Sequence, residues 1–379
     1  MLHTGALPDF PWDSLVPVRE RAARHPDGVV DLTIGTPVDP VPEAIRRVLA
    51  RHANAPGYPP TVGRPELREA IYAWLERRRG LATREGCGIL PTLGSKEMVA
   101  LLPALVGLGE GDAVAFPHVA YPTYDVGARL AGARPVPVDP RRPQDWPDGI
   151  GMLWINSPGN PDGHVLDVGE LARIVEWARE RGAIVASDEC YAALTWDVDE
   201  APSLLDERVC GGDYRGLLSL YSLSKQSNLA GYRAAFLAGD AHIVGPITEV
   251  RKHAGFLMPG PVQEAMAYAL GDDAHVAAQR EVYGRRREHL LGALRGAGLV
   301  NDPLSHAGLY LWVADARGVA GGWDIVYACS ELGIVVTPGD FYGEAGRDRV
   351  RMSLTATDDA VAEAVRRLVR LPKVLAARG

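Results

Sequence analysis

The run Tyr221-Ser222-Leu223-Ser224-Lys225 ends in a lysine beside two hydroxyls, and Arg233 follows eight positions on, after Leu229-Ala230-Gly231-Tyr232. A lysine amine can form a Schiff base with an aldehyde, and an arginine offers a planar, permanently charged fork to a phosphate. Taken alone, a Ser-x-Ser-Lys match is more often a polar turn. Here the lysine follows an apolar stretch, 216–220, that reads as a strand, and precedes a glycine turn, so its amine should emerge at a strand end.

Three further groups could serve the same chemistry. Thr92-Leu93-Gly94-Ser95-Lys96-Glu97 precedes an apolar helix expected over 98–106. The free N–H groups and positive dipole end there suit an anion, although Ser95 could equally be an ordinary cap. Asn156-Ser157-Pro158-Gly159-Asn160-Pro161-Asp162-Gly163 is stiffened by two prolines. It is either a surface turn or a rigid mount for the Asn160 amide, with a cis Asn160–Pro161 bond as one of its options. Asp188, in Ile184-Val185-Ala186-Ser187-Asp188-Glu189-Cys190-Tyr191, ends a buried strand. There it either caps the next helix or needs a positive partner, for which a protonated pyridine nitrogen would serve. Amine, phosphate cation, helix N-terminus and buried carboxylate together are the requirements of a pyridoxal phosphate site.

The elements that must carry these groups alternate through the middle of the chain. Helix is expected over 66–79 and 170–181, and strand over 113–116, 152–155 and 183–187. Such alternation means an α/β unit with a mostly parallel, buried sheet and its chemistry at the carboxyl ends of the strands. From about Pro246 the pattern changes to helices over 262–270, opened by Pro261, and 275–295, then strand-like runs over 309–313 and 334–337. A smaller α+β unit is expected there. The division is an arm over 1–15, an N-terminal part of the small domain over 16–45, a large cofactor domain over 46–260 and the rest of the small domain over 261–379.

Composition narrows the class. With 379 residues, 47% of them hydrophobic, the chain can build a sizeable core, and its net charge of −8 argues against a nucleic-acid or anionic-membrane surface. Four cysteines without metal or disulfide spacing fit reduced thiols and a cytoplasmic setting, and ten histidines lack ligand spacing, so no metal is expected. Met1-Leu2-His3-Thr4-Gly5 does not begin a signal peptide, and the longest apolar run, 98–108, is too short to span a membrane. Gly107-Leu108-Gly109-Glu110-Gly111-Asp112 precedes a strand and reads as a turn, not a dinucleotide loop.

The constellation resembles the class I/II aminotransferases, fold-type I pyridoxal phosphate enzymes, over nearly the whole chain. The resemblance implies that Lys225 carries the cofactor and, once displaced by substrate, shuttles the proton between Cα and C4′. Asp188 would hold the pyridine nitrogen protonated, Asn160 and Tyr191 would bond the phenolic oxygen, and Tyr121, in Val119-Ala120-Tyr121-Pro122-Thr123-Tyr124, would stack on the ring. Phosphate contacts fall to Gly94, Ser95, Lys96, Ser222, Ser224 and Arg233. Arg351, in Val350-Arg351-Met352-Ser353-Leu354, matches the family arginine that grips the substrate α-carboxylate, with Gly35 of Ile34-Gly35-Thr36-Pro37 lining the same pocket. Tyr58, in Gly57-Tyr58-Pro59-Pro60, resembles the tyrosine that reaches a neighbouring subunit's phosphate, which implies a homodimer with shared sites.

Longer stretches narrow the likeness: Leu7-Pro8-Asp9-Phe10-Pro11-Trp12, Asp31-Leu32-Thr33-Ile34-Gly35-Thr36-Pro37-Val38-Asp39-Pro40, Arg251-Lys252-His253-Ala254-Gly255 and Ala307-Gly308-Leu309-Tyr310-Leu311-Trp312. They are similar to the actinobacterial N-succinyldiaminopimelate aminotransferases, which implies glutamate as donor and N-succinyl-2-amino-6-oxopimelate as acceptor. Both carry remote carboxylates, so cations beyond Arg351 are required, with Arg64, Arg251 and Lys252 as candidates. Other acidic or aromatic substrates, specialised metabolism and β-lyase chemistry fit the same cofactor cage. A cofactor-sensing regulator would need a basic N-terminal DNA-binding domain, for which the match at Gly35 comes too early. His253 reads as part of a charged helix face.

Overall fold

Alternate residues of the central strands enter two different cores, and that alternation dictates the architecture. In the computed structural model, which describes residues 7–378, the strand Ala113–Pro117 sends Ala113 and Ala115 to one face and Val114 and Phe116 to the other. Both faces are buried, so the strand is apolar throughout. Seven strands lie in the order Cys87–Leu93, Ala234–Asp240, Leu217–Ser222, Ile184–Asp188, Ile150–Asn156, Ala113–Pro117, Arg134–Val138. All run parallel except Ala234–Asp240.

One face is covered by helices Pro65–Arg79, Val168–Arg181 and Gly260–Leu270, through residues such as Ile71, Trp74, Ile174 and Met266. The other is covered by Ser95–Leu105, Thr123–Leu130 and Ala241–Ala254, through Met98, Tyr124 and Val244. Each fully buried side chain of this size contributes about 1.5–3 kcal/mol, far more than helix propensity does. Local signals set the ends. Asp167 and Glu170 form a reciprocal capping box on Val168–Arg181, and Gly182 closes it in the left-handed conformation.

A second core joins the four-stranded antiparallel sheet Thr337–Pro338, Arg349–Ser353, Tyr310–Asp315, Leu299–Asn301 to helices Val16–Ala22, Asp273–Gly296, Gly322–Glu331 and Asp358–Leu368. The expected run 334–337 is divided: Ile334–Val335 pairs with Val30–Asp31, and Thr337–Pro338 pairs with Arg349–Ser353. Helix Gly260–Leu270, which the change of pattern assigns to the second unit, packs instead on the first core through Ala265, Met266, Ala269 and Leu270. Of the arm expected over 1–15, residues 1–6 lie outside the described residues. Residues 11–15 form a 3₁₀ turn whose Leu15 is buried in the second core. No helix of the described residues is long and apolar enough to cross a membrane. The four cysteines are free and buried.

Candidate active site

The registers Leu93↔Ala234, Ser222↔Ala235, Asp188↔Leu220 and Asn156↔Asp188 align the carboxyl ends of four parallel strands with the start of the one antiparallel strand. A cavity of about 1640 Å³ opens at that end. Its walls include Gly35, Ser95, Lys96, Tyr121, Asn160, Asp188, Tyr191, Ser222, Ser224, Lys225, Arg233 and Arg351. The residues expected to hold the cofactor and the substrate α-carboxylate, from positions 35 to 351, therefore share one chamber, apart from Gly94 and Tyr58.

Its groups carry unmatched charge. Asp188 is 6% exposed; Tyr124 Oη donates to it at 3.0 Å and the Cys190 N–H at 3.3 Å, and among the described residues no cation meets it. Burial pushes its carboxyl above the usual range, more than these two bonds pull it back. On the wall of the same chamber Arg351, 3% exposed, sits 3.9 Å over the Tyr310 ring. It donates to Asn160 Oδ1 at 2.9 Å and to the Thr33 carbonyl, while its Nε has no partner. A buried guanidinium without a carboxylate is costly unless an anion completes it. Lys225, on the short turn Leu223–Gln226 that leaves the strand end, donates its amine to the Gly35 carbonyl.

A cup lies beside the lysine. Ser222 Oγ and Ser224 Oγ are 2.8 Å apart, and Ser95 opens the helix Ser95–Leu105. Arg233 adopts a left-handed backbone (φ 57°), its fork held by the Ala230 carbonyl at 2.9 Å. Gly94, at φ 80°, lies against that fork, and a Cβ there would fall 2.0 Å from Arg233 Nη2.

The aminotransferase class I and II family model matches residues 27–368. The chain belongs to the class I and II aminotransferases. The 4-dedimethylamino-4-oxo-anhydrotetracycline transaminase OxyQ of Streptomyces rimosus is 52% identical to it, over 96% of this chain and 99% of its own length. An LL-diaminopimelate aminotransferase of Aquifex aeolicus is 30% identical, over 96% and 97%. An aminotransferase crystal structure from Neisseria meningitidis superposes with a TM-score of 0.86 at 29% identity, covering 98% of this chain and 99% of its own.

Class I and II aminotransferases use pyridoxal 5′-phosphate. The residues of this aminotransferase fit that group. The carboxylate without a cation suits a protonated ring nitrogen, and the Gly94–Arg233 cradle, two serines and a helix N-terminus suit a phosphate. Because alanine at position 94 would strain the backbone and displace the Arg233 fork, Gly94→Ala is expected to weaken cofactor binding roughly tenfold. Titrating the apo-protein with the cofactor and following absorbance checks this; unchanged affinity would remove Gly94 from the cup.

Some expected residues lie elsewhere. Tyr58 is 97% exposed and outside the cavity of its own chain. The candidate distal cations also fall away from it: Arg64 pairs with Glu264 at 2.7 Å, Lys252 with Glu249 at 2.8 Å, and buried Arg251 with Glu97 at 2.8 Å. Arg251 holds the helix after Gly94 indirectly, since Glu97 also accepts from the Leu93 N–H at 3.0 Å. His253 is exposed at the end of its helix. Three residues with no role assigned from sequence belong to the site. Tyr124, in the first turn of helix Thr123–Leu130, donates to Asp188; Tyr310 supports Arg351; Arg19, paired with Asp31 and bonded to Thr33 at 2.9 Å, reaches the cavity from helix Val16–Ala22.

Proposed function

We propose that this aminotransferase exchanges amino groups between L-glutamate/2-oxoglutarate and a bulky keto compound carried on an aromatic wall. The observation that supports this most is the unmatched pair lining one chamber, carboxylate Asp188 and guanidinium Arg351, with the Lys225 amine bonded to the Gly35 carbonyl. Bound pyridoxal phosphate supplies an electron sink for the bond that breaks at the substrate Cα.

The protein's own groups do the rest. Arg351 binds the α-carboxylate, Asn160 fixes one arm of the fork, and the missing side chain of Gly35 leaves room for the Tyr310 hydroxyl. Lys225 Nζ would take the substrate Cα proton and deliver it to C4′ of the cofactor. Asp188 would keep the cofactor ring nitrogen protonated, Asn160 and Tyr191 would hold its phenolic oxygen, and Tyr121 would cover its ring. Gly94, Ser95, Lys96, Ser222, Ser224 and Arg233 would hold its phosphate. Exposed Tyr58 would reach the phosphate of a second copy in a homodimer.

The second substrate is set by the wall beyond Arg351. Phe10, Trp12, Phe341 and Tyr342 line it, with Trp12 and Phe341 ring centres 5.5 Å apart. Arg64, Arg251 and Lys252 are absent from it. Such a surface suits a planar apolar body better than two distal carboxylates, and the 52% relative is named for an anhydrotetracycline intermediate. N-succinyl-LL-2,6-diaminopimelate is the second reading: the 30% relative is named for LL-diaminopimelate, and Arg19, paired with Asp31, reaches the cavity.

Mixing holoenzyme without keto acid in turn with glutamate, phenylalanine, aspartate and N-succinyl-LL-diaminopimelate separates the readings in one half-reaction. Conversion of the cofactor absorbance by glutamate and phenylalanine is expected. Rapid conversion by glutamate and the succinylated donor alone would replace the aromatic reading with the second one. No conversion by any donor would reject aminotransfer. Arg351→Gln should weaken the glutamate and 2-oxoglutarate half-reactions alike, by about 10- to 100-fold in kcat/KM, and an effect on one only would refute a shared grip.

A further inference from the structure

Tyr310 stands where the groups of the site meet. Its ring lies under the Arg351 guanidinium at 3.9 Å, and its hydroxyl is 3.3 Å from that of Tyr191. The same hydroxyl occupies the space a Cβ on Gly35 would need, at 1.9 Å from it, and Gly35 in turn holds the Lys225 amine through its carbonyl. The ionisable groups around it are Arg351, Lys225, Tyr191, Tyr342 and Tyr283. Burial pushes both phenols up and leaves Tyr191 well above the ordinary value, but Arg351 and Lys225 outweigh burial at Tyr310 and bring it below. Each phenol has one hydrogen to give, so a Tyr191 that turns its own into the cavity takes the hydrogen of the 3.3 Å contact from Tyr310.

We propose that Tyr310 is a positioning residue with two separable duties: its ring is the platform for Arg351, and its hydroxyl donates to Tyr191, turning the Tyr191 hydrogen into the cavity. This rests on the reading of Arg351 as the carboxylate grip and of Tyr191 as a donor to the cofactor's phenolic oxygen. A donor to that oxygen stabilises its negative charge and lowers the pH at which the bound chromophore loses its proton.

Holoenzymes carrying Tyr310→Phe, Tyr310→Leu and Arg351→Gln test both duties. Tyr310→Phe keeps the platform, so its KM for glutamate should stay within about threefold, while the pH midpoint of its holoenzyme absorbance rises by about 0.4–1 unit. Tyr310→Leu loses the platform, and its KM should rise about 5- to 30-fold. A merely structural tyrosine would lower the thermal midpoint in both variants and leave the absorbance titration unmoved, which would overturn the hydroxyl's role. A wild-type KM in Tyr310→Leu beside a damaged Arg351→Gln would overturn the platform alone. A wild-type KM in Arg351→Gln would remove the carboxylate reading and the platform with it.

Discussion

Lys225→Ala is expected to lower transamination by at least about 10³-fold while the protein still binds its cofactor. Removing the amine leaves the Gly94–Arg233 cradle, the Ser222–Ser224 pair and the unpartnered Asp188 in place, and these carry the affinity. What disappears is the covalent attachment. Borohydride treatment of the wild-type holoenzyme should fix a cofactor adduct on the peptide containing residue 225, visible by mass spectrometry, and the variant should give none. An adduct surviving in the variant, for instance on Lys96 in the same cavity, would move the attachment point.

Asp188→Asn should be the other severe lesion, with kcat falling about 10²–10³-fold, because an amide cannot hold a ring nitrogen protonated. It also carries a stability signature of opposite sign. Asp188 is raised above its ordinary value by burial, so the folded apo-protein favours the neutral carboxyl. The stability this contributes is fully present below the ordinary carboxylate range and is lost as pH rises through the folded value. Thermal melts of the apo-protein should therefore fall across that window in the wild type and stay flatter in Asp188→Asn, and the cofactor should remove the difference by pairing with the carboxylate. Parallel melting curves for the two apo-proteins would show that Asp188 is not the uncompensated charge its surroundings indicate.

Much of this frame was legible where a single local signal dominates. Helices expected over 66–79 and 170–181 are observed as Pro65–Arg79 and Val168–Arg181, and the strand expected over 183–187 as Ile184–Asp188. Three strands of the large sheet left no such signal. Arg134–Val138 carries Pro135 and Pro137, which argue against a strand until its place at the open edge is known. The Arg134 N–H points to Asp112 of the preceding segment, so the two missing N–H groups face outward, where no partner waits. Cys87–Leu93 contains glycine and proline, and Ala234–Asp240 follows a left-handed arginine; their pairing with each other depends on residues nearly 150 positions apart.

The site divides in the same way. Lys225, Asp188 and Asn160 stand in motifs whose residue types announce their chemistry, and the cavity collects them. The remote cations could not be chosen from sequence, because nothing in Arg251 or Arg64 shows that Glu97 and Glu264 already occupy them. Tyr310 was equally hidden: a tyrosine in an apolar strand becomes special only when register sets Trp312 opposite Arg351 and the chain brings Gly35 against its hydroxyl.

The chamber is assembled from two cores. Lys225 and Arg233 sit on one connection between neighbouring strands of the seven-stranded sheet, whereas Arg351 and Tyr310 belong to paired strands of the four-stranded sheet. Attachment chemistry and molecular recognition are thus inherited on separate scaffolds. A lineage can remodel the aromatic rim at Phe10, Trp12 and Phe341 to accept new metabolites while sparing Arg351, Tyr310 and the machinery at 188–233, and a laboratory library confined to those rim positions should retain functional catalysts at high frequency.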